Sequence, residues 1–566
     1  MCGIFIIRSK KNTSNYIKQF KQSLNDIYLR GPDESKYIEK QNFLIGFTRL
    51  SINDLKTAKQ PYESPDKRFT LLFNGEILNY KNLIKYLLDK NIDLNKFTET
   101  EVILKLFILH KEKFLNLLRG FFSIVIIDHK TNKIFACVDQ YSVKPLYYFH
   151  SKDLLIFASN LSPILNNKFT SKNYDQKELV KFVVLGREIN SKTIYKNIRK
   201  VKASTYLICN RENISTYKYW SPFKKKNKFL SGSYEELLSN NLDNLVNLWK
   251  TSDVKLSNTR SSGVDSNLLN FYFKKNNIFK KNFLIKENKH HHIKNSEINI
   301  DVNDTDIELE LDKYLKNNLD PTPVGVSSSL SLFNLYKNIG KRKFKVCFNG
   351  EGADELFGGY SRYIKHLRFI NKRKGDLYKS FLDLYQNEIK FSESSIKDTS
   401  FNIYKNLHNE IKKIKLNSNS YLNKILEFDQ LTWVPSVIKR HDAIGMHYSL
   451  EIRPPFLDQT FVNLVNSFPE KLKINLNRQK VIANKILFNY FNFKTDKIKM
   501  GTPSHFIRII NSKHNKKNLK EKIFYGDISK FYNPVKTWEI CEKQLKEKHN
   551  HLFLWRIFIL TKIFDQ

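Results

Sequence analysis

Residues 347–363 read CFNGEGADELFGGYSRY. A brief apolar run, FKVCF at 344–348, gives way to Gly350, Glu351 and Gly352 and then to Asp354 and Glu355. Glycines at the end of a strand let backbone approach a ligand closely, and an acid beside them can reach a divalent ion. Mostly helical patterns surround such brief apolar runs in this part of the chain, as they do in a parallel sheet flanked by helices.

Upstream, residues 259–269 read TRSSGVDSNLL, small residues and an acid in front of a short apolar run. The backbone N–H groups of such a loop, at a helix N-terminus, can cradle phosphate; the bland alternative is a polar turn. The preceding run, VKLSNTR at 254–260, is more polar than a strand buried on both faces should be. Further back, Ser233 and Glu236 form a capping-box pattern, and Leu238, Leu242, Leu245, Val246 and Trp249 fall on one helical face. The stretch before them, SPFKKKNKFLSGS at 221–233, is basic and without periodicity and reads as a linker. The first part of the chain is different. LLFNGEI (71–77), FFSIVIIDHKTNKIFACVD (121–139) and LLIFASN (154–160) mix β-branched and aromatic residues with Gly, Asn and Asp, so a sheet-rich domain over 1–222 and a second domain over 234–566 are expected.

A chain of 566 residues has room for two to four cores. Its net charge of +40 comes from lysines scattered along the whole length rather than gathered in one patch, so nucleic acid is not expected as a partner. The longest apolar run, Phe121–Ile127 with one Ser in it, is far short of the roughly 20 residues of a membrane helix, and MCGIFIIRSKK has the reverse order of a secretory signal. Five cysteines, at 2, 137, 209, 347 and 541, form no CxxC pair and leave an odd thiol, which speaks against a disulfide framework and a clustered zinc site and fits a reducing cytoplasm. The three histidines at 290–292 show no ligand spacing and read as a solvated loop.

Cys2 follows the initiator Met directly; with Met1 removed, thiol and α-amine share one residue, and the amine can serve as the thiol's own base. A cysteine there is more often incidental, but a set of motifs accompanies it in order: RGPDES (30–35), TRLSINDL (48–55), QP (60–61), NGEILNY (74–80) and VDQYSVKPLYY (138–148). On these the chain resembles the class II, N-terminal-nucleophile glutamine amidotransferases over most of residues 1–220. The resemblance implies that Cys2 attacks the glutamine amide, that Asn74 and the Gly75 N–H hold the oxyanion, that Arg49 clamps the α-carboxylate, and that Glu76 and Glu99 hold the α-ammonium. Glu99, in TETE (98–101), stands where the family normally has Asp.

With SLEIRPPFLD (449–458), the string at 347–363 resembles the synthetase domain of asparagine synthetases and their relatives, which adenylate a carboxylate and pass it to ammonia. The implied fold is an α+β N-terminal-nucleophile sandwich followed by an α/β parallel-sheet adenylating domain of the PP-loop, adenine nucleotide α-hydrolase-like type. Ser261, Gly263, Asp265 and Ser266, with Gly350 and Glu351, would hold the pyrophosphate of ATP; Asp265 and Asp354 would hold Mg²⁺; Glu351 would stand near acceptor and ammonia; and Lys499, in KIKMGTP, would stabilise the pentacoordinate phosphorus. Ser262 replaces a family glycine, at a cost of about 1–2 kcal/mol if the position needs positive φ. The segment 270–319 is compressed, and only Asp320 and Pro321 represent the family's DEP. Arg453 and Asp458 suit a structural ion pair. The expected substrates are glutamine, ATP and a carboxylate, by default aspartate. The alternatives are another carboxylate such as a sugar acid, or a glutaminase or scaffold with an inactive synthetase half. A homodimer is compatible with either.

Overall fold

The computed structural model describes residues 2–55, 57–223, 233–278, 282–285, 297–300, 307–372, 376–493, 506–547 and 551–566. The stretch 224–232 within the expected linker, and the histidines at 290–292, lie outside them.

β1 (Cys2–Ser9) is buried along its whole length. Ile4 and Ile6 enter one core and Phe5 and Ile7 another, which is the two-residue period of a strand covered on both faces. The next eleven strands are β2 (Glu34–Lys40), β3 (Phe43–Arg49), β4 (Tyr62–Glu63), β5 (Phe69–Ile77), β6 (Gly120–Asp128), β7 (Lys133–Val138), β8 (Tyr147–His150), β9 (Leu154–Ala158), β10 (Ile198–Lys200), β11 (Thr205–Cys209) and β12 (Ile214–Lys218). They form two six-stranded antiparallel sheets, ordered β10-β8-β9-β1-β3-β2 and β12-β11-β7-β6-β5-β4. Ile4, Ile45 and Phe47 of the first sheet meet Leu72, Val125 and Ala136 of the second in a shared core. Phe20, Leu24, Leu179 and Phe182, on the helices Ile17–Asn25 and Gln176–Leu185, cover the outside of the first sheet. Leu83, Leu87, Val102 and Leu106, on Tyr80–Leu88 and Glu99–His110, cover the second. The layers are helix, sheet, sheet, helix.

The other sheet is parallel, ordered β15-β14-β13-β16-β17 from β13 (Leu256–Arg260), β14 (Asn282–Ile285), β15 (Glu297–Ile300), β16 (Val346–Phe348) and β17 (Glu451–Arg453). Its centre is the polar strand LSNTR, whose side chains bond across to the neighbours: Ser257 Oγ to Val346 O (2.8 Å), Asn258 Nδ2 to Asn282 Oδ1 (3.1 Å) and Thr259 Oγ1 to Phe348 O (3.1 Å). Buried polar groups with partners are tolerable, so the strand survives its composition. The compressed segment supplies β14 and β15. The helix Tyr234–Trp249 starts at Ser233, whose hydroxyl accepts from Glu235 N (3.2 Å), and buries the five apolar residues read from the sequence.

Among the contacts that fasten the halves together are those of the C-terminal helix and of two glycines beside it. The last helix, Leu552–Phe564, is buried on nearly all sides; Trp555 Nε1 donates to Val324 O (2.7 Å), and Arg556 donates from one nitrogen to Val183 O (2.9 Å) and Val184 O (2.6 Å) at the end of Gln176–Leu185. Beside it the backbones of Gly186 and Gly325 touch: a Cβ on Gly325 would lie 1.9 Å from Gly186 O.

Candidate active sites

Cys2 begins β1 directly opposite Arg49 on β3, and its N–H donates to Asn74 Oδ1 on β5 (2.9 Å). Burial pushes the Cys2 thiol above its ordinary pKa. Asn74 Nδ2 is buried without a hydrogen-bond partner. A buried N–H left unmade costs about 1–3 kcal/mol, so a donor held spare on the residue that grips Cys2 is a feature to be explained by a ligand. The next residue, Gly75, has φ +147°, and a Cβ there would meet Phe121 O at 2.0 Å; only glycine fits.

Around Cys2 the other expected residues gather. Arg49 donates to the carbonyls of Asn53 (3.3 Å) and Asp54 (2.8 Å). Asn53 Nδ2 donates to both oxygens of Glu76 (2.7 and 2.5 Å), and Glu99 accepts from Ile77 N (2.7 Å). Burial lifts Glu76 to about 7, with Arg453 opposing it and Glu451 adding to it. Burial, then the neighbouring Glu76, lifts Glu99 well above the carboxylate range. Two acids facing one small space share one shortage of positive charge.

Arg453 does not pair with Asp458. Its Nε donates to Glu451 (2.6 Å) and its other end lies 3.8 Å from Glu76, while Asp458 takes Arg119 at 2.8 Å. Burial would raise Glu451, but Arg453 and the other positive charges around it, Lys144 among them, together outweigh burial and bring the carboxyl down to about 2.

The second cluster lies at the C-terminal edge of the parallel sheet. β13 ends in the loop 261–263, and the helix Val264–Lys275 starts behind it with Gly263 as N-cap and no side-chain cap. Ser261 N donates to Ser266 Oγ (3.0 Å) and Asn267 Nδ2 to the carbonyls of Ser261 (3.1 Å) and Gly263 (2.8 Å), so the loop is tied to the helix it precedes. Ser262 is exposed and is not among the described residues with positive φ; the cost expected for serine there does not arise. Gly350, just past β16, lets that strand end lie against the helix: a Cβ would sit 3.1 Å from Asp265 Cβ and 3.3 Å from Ser266 N.

Asp265 and Asp354 are brought together, and the residue between them is Lys480. Its Nζ is 2.6 and 2.5 Å from the two Asp265 oxygens and 2.7 Å from Asp354 Oδ1. Burial works against the charge on Lys480, but the two carboxylates outweigh it and raise its pKa. Two carboxylates able to grip one cation are the hard oxygen set that Mg²⁺ takes alongside phosphates and water, and no group of three or more His, Cys, Asp and Glu among the described residues competes for that role. Lys499 lies outside the described residues. Glu351 Oε1 lies 2.9 Å from His441 Nε2, and the Tyr336 hydroxyl holds His441 Nδ1 at 2.5 Å. Asp320 is buried and committed elsewhere, to Lys439 (2.7 Å) and the Tyr147 hydroxyl (2.9 Å).

Between the clusters runs a helix, Val434–His447. Its Asp442 accepts from Arg30 (3.0 Å), both residues 2 % exposed, and Arg30 Nε donates to Cys2 O (3.3 Å). Lys144, fully buried, has its Nζ 3.6 Å from Asp442 and over the Phe121 ring at 4.8 Å. The neighbouring His441 reaches Glu351. Arg30 and Lys144 fall inside quoted motifs, RGPDES and VDQYSVKPLYY, but their partner lies 412 and 298 residues away and no spacing names it; Lys480, His441 and Tyr336 carry no sequence signal in a chain this rich in lysine.

Comparison with known proteins agrees with both halves. A glutamine amidotransferase domain model matches residues 1–220 and an asparagine synthase model residues 285–507. A protein of Bacillus subtilis named asparagine synthetase [glutamine-hydrolyzing] 1 is 26 % identical over 537 residues, covering 86 % of this chain and 84 % of that one. One of Methanocaldococcus jannaschii carrying the name asparagine synthetase [glutamine-hydrolyzing] 2 is 30 % identical over 426 residues, covering 66 % and 78 %. With an antiparallel sandwich that starts at Cys2 joined to a parallel sheet that ends in a glycine-rich acidic loop, the chain belongs to the glutamine-hydrolysing asparagine synthetase family.

Proposed function

We propose that the protein makes asparagine, by hydrolysing glutamine in residues 1–222 and amidating aspartate, activated with ATP, in residues 234–566. In the first pocket, with Met1 removed, the nitrogen that donates to Asn74 is a free amine. It takes the proton of the Cys2 thiol as sulfur attacks the glutamine amide carbon. The spare Asn74 Nδ2–H and the Gly75 N–H receive the oxyanion, a donor pair of which either member is worth about 100- to 1000-fold in rate. Ammonia leaves, and water cleaves the thioester to glutamate. Arg49 takes the α-carboxylate and Glu76 with Glu99 the α-ammonium.

In the second pocket the uncapped N-terminus of Val264–Lys275, with Ser261, Gly263 and Ser266, receives the phosphates of ATP. Asp265 and Asp354 would hold Mg²⁺, which when bound offsets phosphate charge. Lys480, already between the two acids, turns its ammonium to the same phosphates. The aspartate side-chain carboxylate attacks the α-phosphorus, pyrophosphate departs towards this cradle, and ammonia then attacks the acyl carbon and displaces AMP. Glu351, held by His441, accepts the proton that the attacking nitrogen gives up.

Ammonia must cross without picking up a proton. The observation that carries the reading is the helix Val434–His447, which presents Asp442 to the Arg30 that holds Cys2 and His441 to Glu351. The test incubates the protein with ATP, Mg²⁺, glutamine and a panel of carboxylic acids and follows products by mass spectrometry. Asparagine and AMP are expected with aspartate, and Cys2→Ala is expected to lose glutamine-dependent synthesis while keeping synthesis from ammonium. Amidation of another acid in the panel, or glutamate release with no AMP, would replace the reading.

A further inference from the structure

A cavity of about 350 Å³ opens at the end of β1 opposite Cys2, where turns from both antiparallel sheets converge. Six residues of extended strand, at about 3.3 Å each, separate the nucleophile from Arg8, which lines the cavity. Arg8 is only 8 % exposed and forms no ion pair among the described residues. From the first sheet it crosses to turns of the second and donates to the carbonyls of Asn132 (3.3 Å), Cys209 (3.5 Å) and Asn210 (2.7 Å). A guanidinium this buried ordinarily has a carboxylate partner.

The rest of the wall is also cationic. Lys10, Lys152 and Arg211 line it, against the acids Asp153 and Glu212, and Asp153 is engaged by Lys11 at 3.4 Å. His150, another wall residue, is pushed below its ordinary pKa by burial and then by Arg8 and Lys10. The hydroxyl residues Ser9 and Ser151, the amides of Asn42 and Asn132, and Leu154 with Leu155 complete the lining. The space is at the small end of ligand pockets, about 300–1,000 Å³, and its four cations beside two acids give the wall an excess of positive charge that suits a small anion.

We propose that this cavity is a binding site for a small phosphorylated anion, separate from both reaction pockets. The guanidinium of Arg8 and the flanking Lys10, Lys152 and Arg211 supply charge-assisted hydrogen bonds that suit phosphoryl oxygens.

The test is lysine acylation footprinting of the full chain by mass spectrometry, without ATP or Mg²⁺, at fixed ionic strength. The probes are inorganic pyrophosphate, ribose 5-phosphate and succinate, with chloride as control. Pyrophosphate or ribose 5-phosphate is expected to slow acylation of Lys10 and Lys152 and to leave Lys517, 80 % exposed on the helix Lys513–Tyr525, which does not line the cavity, unchanged. Because the readout is local to these lysines, binding in the synthetase pocket does not mimic it, and failure of the proposed reaction would leave it untouched. Arg211→Glu, on an exposed turn, is expected to weaken the protection about tenfold in ligand concentration, the size of one lost hydrogen bond to a charged group. Equal protection by succinate would overturn the phosphoryl assignment. Protection by chloride alone, protection of Lys517 as well, no protection at all, or protection unchanged in Arg211→Glu would overturn the site.

Discussion

If Glu76 holds the α-ammonium of glutamine as proposed, it has to be ionised when the ligand arrives, and burial acts against this. Its pKa of about 7 means that below neutrality the group is largely protonated and neutral, and above neutrality largely a carboxylate. Glutamine binding should therefore tighten as pH rises from 6 to 8. KM for glutamine is expected to fall towards a plateau, with a midpoint near that value and a slope approaching tenfold per unit on the acid side. Steady-state glutaminase assays across this range check it; in Glu76→Gln the KM should be raised throughout and this limb of the profile lost. An unchanged profile in the variant would place the titration elsewhere. At this scale the sequence was informative where residues sit in short motifs: Cys2, Arg49, Asn74, Gly75 and Glu76 converge as their order suggested. It was silent on Asn53, which grips Glu76, and on Lys480, 215 positions from the Asp265 it holds, because nothing local records which distant side chain a fold will deliver.

Elements obey wider constraints than their own composition. β13 reads poorly as a buried strand, yet it is central because its Ser, Asn and Thr hydroxyls and amides bond to the strands on either side. Periodicity found the helix at 234–249, and the apolar β-branched and aromatic runs found β6 and β7, since those patterns answer to burial alone. It could not foresee that Arg453 would leave Asp458 for Glu451, a choice made by the packing of the two halves. The same packing gives the C-terminal helix a specific task. Arg556, 1 % exposed, donates to Val183 O and Val184 O, carbonyls that the helix Gln176–Leu185 cannot satisfy itself, and its Nε donates to Gly325 O at 3.1 Å. Arg556→Met keeps the apolar stem and removes these donors. Each stranded buried carbonyl costs about 1–3 kcal/mol, so a drop of several kcal/mol in denaturant stability is expected, with Arg556→Lys in between; a loss under about 1 kcal/mol for the Met variant would show that water replaces the guanidinium.

For the molecule as a whole, the question is what keeps the two pockets on one path. Asp442 faces Arg30 and, together with Glu451, Lys144; Asp442 and the two cations are essentially buried. Removing one partner of a buried charge pair costs about 3–5 kcal/mol, because the other is left uncompensated. Asp442→Asn preserves shape and one acceptor but leaves two buried cations facing an amide. The side chains there must then shift or admit water, and water is what turns ammonia into unreactive ammonium. Glutamate release should continue, since no group of the glutamine pocket is altered, while amide formation from glutamine falls behind it. The ratio of glutamate to asparagine formed, measured in one reaction with saturating aspartate and ATP, is expected to rise severalfold above that of the unaltered protein. Synthesis from added ammonium should change much less, because that route does not depend on Cys2 or on Arg30. If both routes fall together, Asp442 supports the synthetase pocket itself; if the ratio is unchanged while stability drops, the ion pair fastens the halves without guarding the passage between them.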